Sequence, residues 1–369
     1  MLTRFRHTSV MLAVIVVISL LLTACAAPAA APQPAAPAAP AAPTAPAATV
    51  GAAAPAATAG TAASTAPAAA APAKKSKYVI GMSQANKGEP WRQAMNDQIT
   101  AAAKLHPELE VRFADAAQNN AKQVADVENF LQQGVDLLII SPNEAAPLTD
   151  VVTKVYQKGI PVVLLDRRVV GDQYTTFIGA NNVLLGTKAG EFVANWCKTN
   201  NLKPCNVIEI RGLEGTSGTK ERGDGLRTGM AGNTDIKIIA QQNADWLREK
   251  AIPVSQAMLQ AHPETNVCVG QNDPMAEACI ISAQNAKIDL SKMLFVGYDG
   301  LPTPDGGIQS VIDGRLGLTM LYPTGGAEAI DWAVKILENG EKPPKEITLG
   351  TEAITKANAA DLMKKFTGK

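Results

Sequence analysis

Between Tyr78 and Leu321 short apolar runs of strand length alternate with longer amphipathic runs of helix length, and this rhythm constrains the fold more than any other feature. Tyr78–Met82, Val111–Ala114, Leu137–Ile140 and Val162–Leu165 read as strands, and Val124, Val127, Phe130 and Leu131 mark one face of an intervening helix. After Asn181 the alternation resumes, with strands at Val207–Ile210, Ile236–Ala240, Val267–Gly270, Leu294–Tyr298 and Leu316–Leu321. This alternation of strand and helix argues for an α/β fold of doubly wound parallel sheets covered on both faces.

A weak internal repeat divides the alternation. Strand Val111–Ala114 is followed by Gln118-Asn119, a helix, strand Leu137–Ile140 and Asn143-Glu144. Strand Ile236–Ala240 is followed by Gln242-Asn243, a helix, strand Val267–Gly270 and Asn272-Asp273 at nearly the same spacing. Two similar lobes facing each other across a cleft account for this better than chance likeness of βα units.

Ligands on open parallel sheets bind outside the carboxyl ends of the strands. The residues at those ends here are polar: Ser83, Ser141 and Asp166-Arg167 in the first half, Asn272-Asp273 and Asp299 in the second. Sugars offer fixed arrays of hydroxyls on apolar ring faces, so a sugar site needs planar bidentate groups and an aromatic wall. Trp91, in Pro90-Trp91-Arg92, and Trp246, in Ala244-Asp245-Trp246, are loop-borne aromatics beside charged residues, which favours a ligand role over simple packing. Asp166-Arg167 at the end of an apolar strand reads as cleft lining and not as a surface ion pair, which would contribute almost nothing. Arg222 lies in a glycine-rich run, Gly215 to Gly225, that lacks the Gly-Lys-Ser/Thr of a phosphate-binding loop. No Gly-x-Ser-x-Gly elbow occurs and no histidine follows a cleft-type strand. Glu89, Asp166 and Asp299 each have an Arg, Asn or Trp nearby, a setting for equilibrium binding and not for glycosidase chemistry. Neither an enzyme nor a cofactor is expected.

The N-terminal segment carries different information. Arg4 and Arg6 precede the apolar stretch Val10–Leu22, which ends in Leu21-Leu22-Thr23-Ala24-Cys25. This resembles a bacterial lipobox, so residues 1–25 read as a signal peptide whose removal leaves Cys25 lipidated at a membrane surface. An ordinary signal peptide with an incidental Cys25 is the plainer alternative. Residues 26–76 are almost entirely Ala, Pro, Thr and Gly up to Ala73, without charge or aromatic rings, and read as a disordered tether. The remaining chain is near the size at which one core divides into two. Over the whole chain the 34 basic and 34 acidic residues cancel, which argues against nucleic-acid binding.

Four cysteines follow Cys25, without C-x-x-C spacing, so a disulfide in an exported protein is a better reading than a zinc site. Cys205 and Cys268 each begin an apolar strand-like run and are the favoured pair. Cys197 with Cys205 across a short loop is the competing one.

Together, several motifs resemble the type I periplasmic binding proteins of the ribose and galactose group. They are Ile160-Pro161-Val162-Val163-Leu164-Leu165-Asp166-Arg167, Asn181-Asn182-Val183-Leu184-Leu185-Gly186, Glu221-Arg222-Gly223-Asp224-Gly225, Gln271-Asn272-Asp273-Pro274-Met275-Ala276 and Val296-Gly297-Tyr298-Asp299-Gly300. Gly81-Met82-Ser83-Gln84, Trp91-Arg92 and Lys203-Pro204-Cys205-Asn206-Val207 look most like the galactofuranose-binding branch of ABC-transporter solute-binding lipoproteins. The resemblance implies lobes at 77–180 plus 323–347 and at 181–322 plus 348–369, with crossovers near Asn181, Pro323 and Thr348. It implies sugar contacts from Trp91, Asp166, Arg167, Arg222, Trp246, Asn272 and Asp299. Glu89 and Arg92 stand where an Asn and an aromatic are common, and the late polar hinge residue falls at Leu321 or Tyr322. These departures favour a furanose-form hexose. The expected partners are a monosaccharide, ABC permease subunits and the membrane holding the lipid anchor, with the protein a monomer exported to the periplasm or the outer face of the cytoplasmic membrane. The alternatives are delivery of the sugar to a chemoreceptor or kinase, or a pentose, polyol or sugar acid as ligand.

Overall fold

Leu137–Ile140, Val162–Leu165, Val267–Gly270 and Leu294–Tyr298 are buried throughout and lie inside two parallel sheets, whereas Val111–Ala114 and Ile236–Ala240 are partly buried edge strands. The computed structural model describes residues 75–368. Cys25, the signal segment and the Ala/Pro tract up to residue 74 lie outside the described residues. No helix among the described residues is long and apolar enough to cross a membrane.

The first half runs β1 (Tyr78–Gln84), α1 (Pro90–Ala103), β2 (Leu109–Asp115), α2 (Asn120–Gln132), β3 (Leu137–Ile140), α3 (Ala145–Gln157), β4 (Val162–Leu165) and β5 (Thr176–Ala180). The second half runs α4 (Asn182–Thr199), β6 (Cys205–Arg211), α5 (Ser217–Met230), β7 (Ile236–Asn243), α6 (Arg248–Ala261), β8 (Val267–Gly270), α7 (Asp273–Asn285), β9 (Leu294–Asp299), α8 (Gly307–Ile312) and β10 (Leu318–Leu321). The chain then adds α9 (Gly326–Asn339), β11 (Glu346–Leu349), β12 (Ala353–Ile354) and α10 (Ala359–Thr367). One sheet has the order β11-β5-β4-β3-β1-β2 and the other β12-β10-β9-β8-β6-β7. Taken strand by strand these are the same order, so the sequence repeat is a repeat of topology. β12 differs in pairing antiparallel to β10, whereas β11 runs parallel to β5.

The chain passes between the sheets three times: after β5, after β10 and after β11. Thr348 and Leu349 still pair with Gly179 and Ala180, so the third passage begins after Leu349. Three strands escape the sequence pattern. β5 has only Phe177 and Ile178 as large apolar side chains, yet it is buried throughout between β4 and β11. β11 is short and mixed in polarity, and β12 is only two residues long.

Local chemistry starts the helices that border the cleft. Asn119, Asn181, Thr216 and Asn272 are N-caps whose side chains accept from the backbone N–H groups of Lys122, Leu184, Thr219 and Met275. Helices α4 and α5 pack with backbones nearly touching, because Gly186 and Gly190 face Gly225 and Gly229. A Cβ on Gly225 would lie 2.3 Å from the Val183 carbonyl oxygen, so only glycine fits.

Both disulfides are local, and Cys205–Cys268 is not one of them. Cys197 joins Cys205, tying the end of α4 to the start of β6, and Cys268 joins Cys279, tying β8 to α7. The register explains this: Cys268 lies opposite Ile208, three residues along β6 from Cys205. At roughly 3.3 Å per residue that offset exceeds bridging distance.

Candidate ligand-binding site

The carboxyl ends of both sheets face one cleft. The lobe containing β1–β5 lines it with Glu89, Trp91, Arg92, Asp166 and Arg167, the other with Gly218, Arg222, Trp246, Asn272 and Asp299, and Tyr322 joins them from the β10–α9 passage. Hydrogen bonds bridge the lobes beside the cavity: Gln118 Nε2 donates to the Asp245 carbonyl at 3.1 Å, and the Ala145 N–H to the Gly215 carbonyl at 3.1 Å.

A buried ion pair anchors one wall. Arg92 Nη2 lies 2.6 Å from Asp166 Oδ2, while Arg92 Nη1 donates to Ser141 Oγ at 2.6 Å and Gln84 Oε1 at 3.0 Å. The Tyr322 hydroxyl donates to the other Asp166 oxygen at 2.7 Å. Burial pushes the Asp166 carboxyl up, but Arg92, Arg167 and the Tyr322 hydroxyl outweigh it and hold the carboxyl below its usual range, as an anion. Glu89 behaves oppositely. Burial raises it more than Arg92, Arg167 and the Asn86 hydrogen bond lower it. Burial together with Arg92 lowers Arg167 to about 10, and Arg167 donates to the Asn143 carbonyl at 2.9 Å.

Arg222 organises the facing wall. Its Nε donates to Asn182 Oδ1 at 2.9 Å and its Nη1 to the Gln271 carbonyl. The guanidinium sits 4.4 Å from the Tyr322 ring centre, 5.1 Å from Tyr298 and 5.2 Å from Trp246, an aromatic cage suited to a desolvated cation. Asn272 caps α7 and also donates to the Trp246 carbonyl at 2.9 Å, which fixes the loop that presents Trp246. Trp91 is fixed too, its Nε1 donating to the Tyr322 carbonyl at 2.8 Å. Among the described residues no group of His, Cys, Asp and Glu is arranged to hold a metal ion.

Backbone strain gathers here. Asp166, Asp245, Trp246 and Asp299 have φ of 70°, 54°, 71° and 125°, in a region that L-residues seldom occupy. Such conformations persist where surrounding structure over-determines them, and they mark ligand clamps and switch regions.

Nine of the residues singled out from the sequence therefore meet in one cavity. Ser83 does not. It is buried below the cavity and accepts from Gln123 Nε2 at 3.2 Å, because it points from β1 towards α2. Tyr322, which the sequence offered only as one of two candidates for the late hinge position, is the principal lining residue not singled out as a ligand contact. Its signal was its place at the second passage between halves, where a side chain can touch both lobes.

A family model described as a periplasmic binding protein domain matches residues 80–342. The ribose import binding protein of Escherichia coli is 33% identical over 244 residues, covering 66% of this chain and 79% of that protein. The galactofuranose-binding protein of the same organism is 30% identical over 274 residues, covering 72% and 84%. Among solved structures, the fructose-binding periplasmic domain of a hybrid two-component system is 36% identical with a TM-score of 0.75, covering 79% of this chain and 95% of that one. Similarity of this order to ribose, galactofuranose and fructose binders does not single out the galactofuranose branch. With matched lobes closing on a lined cleft and a family model over most of its length, the chain belongs to the periplasmic binding proteins, a solute-binding class that performs no catalysis.

Proposed function

We propose that this protein captures a neutral monosaccharide in its interlobe cleft and delivers it to an ABC importer. The observation that carries this reading is the cavity lining: three arginines, three carboxyl groups and one asparagine interleaved with Trp91, Trp246 and Tyr322, contributed by both lobes. Charge-assisted hydrogen bonds to sugar hydroxyls stabilise binding by about 1.5–3 kcal/mol each. The balance of Arg against carboxyl favours a neutral ligand over a sugar acid. The relatives' names support the class, being binders of ribose, galactofuranose and fructose. All three sugars can close five-membered rings, which supports a furanose-form ligand.

The test is calorimetric titration with D-ribose, D-fructose, D-galactose and D-galacturonate while tryptophan emission is followed. A neutral sugar is expected to bind one to one and to change the emission, because Trp91 and Trp246 both line the cavity. Selective binding of galacturonate over every neutral sugar would overturn the ligand class. A second reading, delivery to a sensor, draws on the fructose-binding relative that belongs to a two-component system. A permease and ATPase encoded beside this chain would favour transport.

The anchor belongs to the same proposal. Changing Cys25 to Ser is expected to release the protein from membranes without altering sugar affinity, measured by fractionation and titration. Membrane retention of that variant would point instead to an uncleaved N-terminal helix.

A further inference from the structure

Of the three carboxyls that line the cleft, Glu89 and Asp166 accept side-chain hydrogen bonds and Asp299 accepts none among the described residues. It ends β9 with φ of 125°, Gly300 follows at 61°, and its buried carboxyl makes no hydrogen bond to any described residue while lining the cavity. An unpartnered carboxyl on a strained backbone must be held through the backbone itself. The holding group is Asp273, the first residue of α7. Its carboxyl accepts from the Gly300 N–H at 2.9 Å and from the Thr319 hydroxyl at 2.7 Å, so it ties the turn after Asp299 to β10. The surroundings are shaped to it. A Cβ on Gly297 would lie 2.2 Å from Asp273 Oδ1, and one on Gly307 1.9 Å from Oδ2. No cation forms a salt bridge with Asp273 among the described residues, so the desolvation of this buried carboxyl is offset mainly by those two donors, with a smaller contribution from the Arg222 charge.

We propose that Asp273 is a positioning residue for ligand binding: by pinning Gly300 and Thr319 it holds the Asp299 carboxyl free and turned towards the ligand. The inference rests on the reading of the cleft as a sugar site. It also has an electrostatic consequence. Burial and then the Asp273 carboxyl push Asp299 well above the usual range, with Glu89 and Asp166 adding to this and Arg222 opposing it. Asp273 itself is raised to about 7 by burial, with Glu277 adding and Thr319, Gly300 and Arg222 opposing. Sugar hydroxyls donate better to a carboxylate than to a carboxylic acid, so affinity falls as pH drops through the Asp299 titration. Replacing Asp273 by Asn removes one of the groups that raise Asp299 and moves that fall to lower pH.

The experiment is calorimetric titration of the full chain in detergent with D-ribose, D-fructose and D-galactose across pH 4–8. Asp273→Asn is expected to weaken the sugar that binds wild type by roughly tenfold and to shift the acid fall in affinity downward. Affinity within twofold of wild type, or a tenfold loss equal at every pH, would overturn the inference, since a purely structural role leaves the pH profile in place. Should Asp273→Asn fail to fold, Thr319→Val keeps the charge and removes one tether. A several-fold loss of affinity then supports positioning, and unchanged affinity overturns it. A wild-type chain that binds none of the three sugars overturns the functional reading and this inference with it. Wild-type binding with unaffected variants overturns the inference alone.

Discussion

Asp166→Ala is expected to abolish detectable sugar binding and to lower the melting temperature by about 10 °C. Asp166 accepts from Arg92 on one oxygen and from Tyr322 on the other, at 2.6 and 2.7 Å. Its loss leaves the fully buried Arg92 guanidinium without a counter-charge, and breaking a buried pair in this way costs about 3–5 kcal/mol. Sugar binding suffers for a second reason: the hydroxyl acceptor is gone, and the freed Tyr322 no longer joins the two walls. Asp166→Asn keeps an acceptor of the same shape and should fall between wild type and Ala in both measurements. Calorimetric melting and sugar titration of the three proteins make the comparison. An Ala variant that binds as tightly as wild type would show that the sugar sits elsewhere.

Gly225→Val is expected to have the largest effect on folding, through backbone contacts that cannot yield. Its Cβ would meet the Val183 carbonyl oxygen at 2.3 Å and the Thr187 nitrogen at 2.8 Å. Overpacking against movable side chains costs about 1–3 kcal/mol, and against two helix backbones the cost exceeds that range. Relief comes only by separating α4 from α5. That separation also pulls Arg222, on α5, from Asn182, at the start of α4, to which it donates at 2.9 Å. The expected result is insoluble protein or a melting temperature lowered by 10 °C or more, with sugar binding lost in whatever folds. Gly350→Ala is the control, because no atom lies within 4 Å of its added Cβ. A Gly225→Val protein with wild-type melting would mean that the helices pack differently.

Much of the site was legible because parallel sheets place ligands at the ends of their strands. Asp166 follows β4, Asn272 comes two residues after β8 and Asp299 ends β9, so their position in the sequence is their position in the cleft. Ser83 follows the same rule in sequence and fails it in space. Side chains alternate across a strand, and at a strand's last residues one position decides between cleft and core. Tyr322 escaped for the opposite reason. Nothing in Leu321-Tyr322-Pro323 marks a binding residue, and its role arises from touching Asp166 in one lobe and lying over Arg222 in the other. The disulfides needed the register of β6 against β8, which two similar apolar runs do not reveal.

The sequence by itself determined the class of fold and most of the chemistry at the cleft. Apolar strands that alternate with helices are buried in covered parallel sheets, and the topology then delivers their C-terminal residues to one edge. Tertiary structure decided what depends on distance between remote segments: which oxygen of Asp166 each donor takes, how closely α4 approaches α5, and which carboxyl is left without a partner. Hydrophobic burial is non-directional and leaves its pattern in composition along the chain. Hydrogen bonds and close packing are directional, and their partners are set only when the lobes are built.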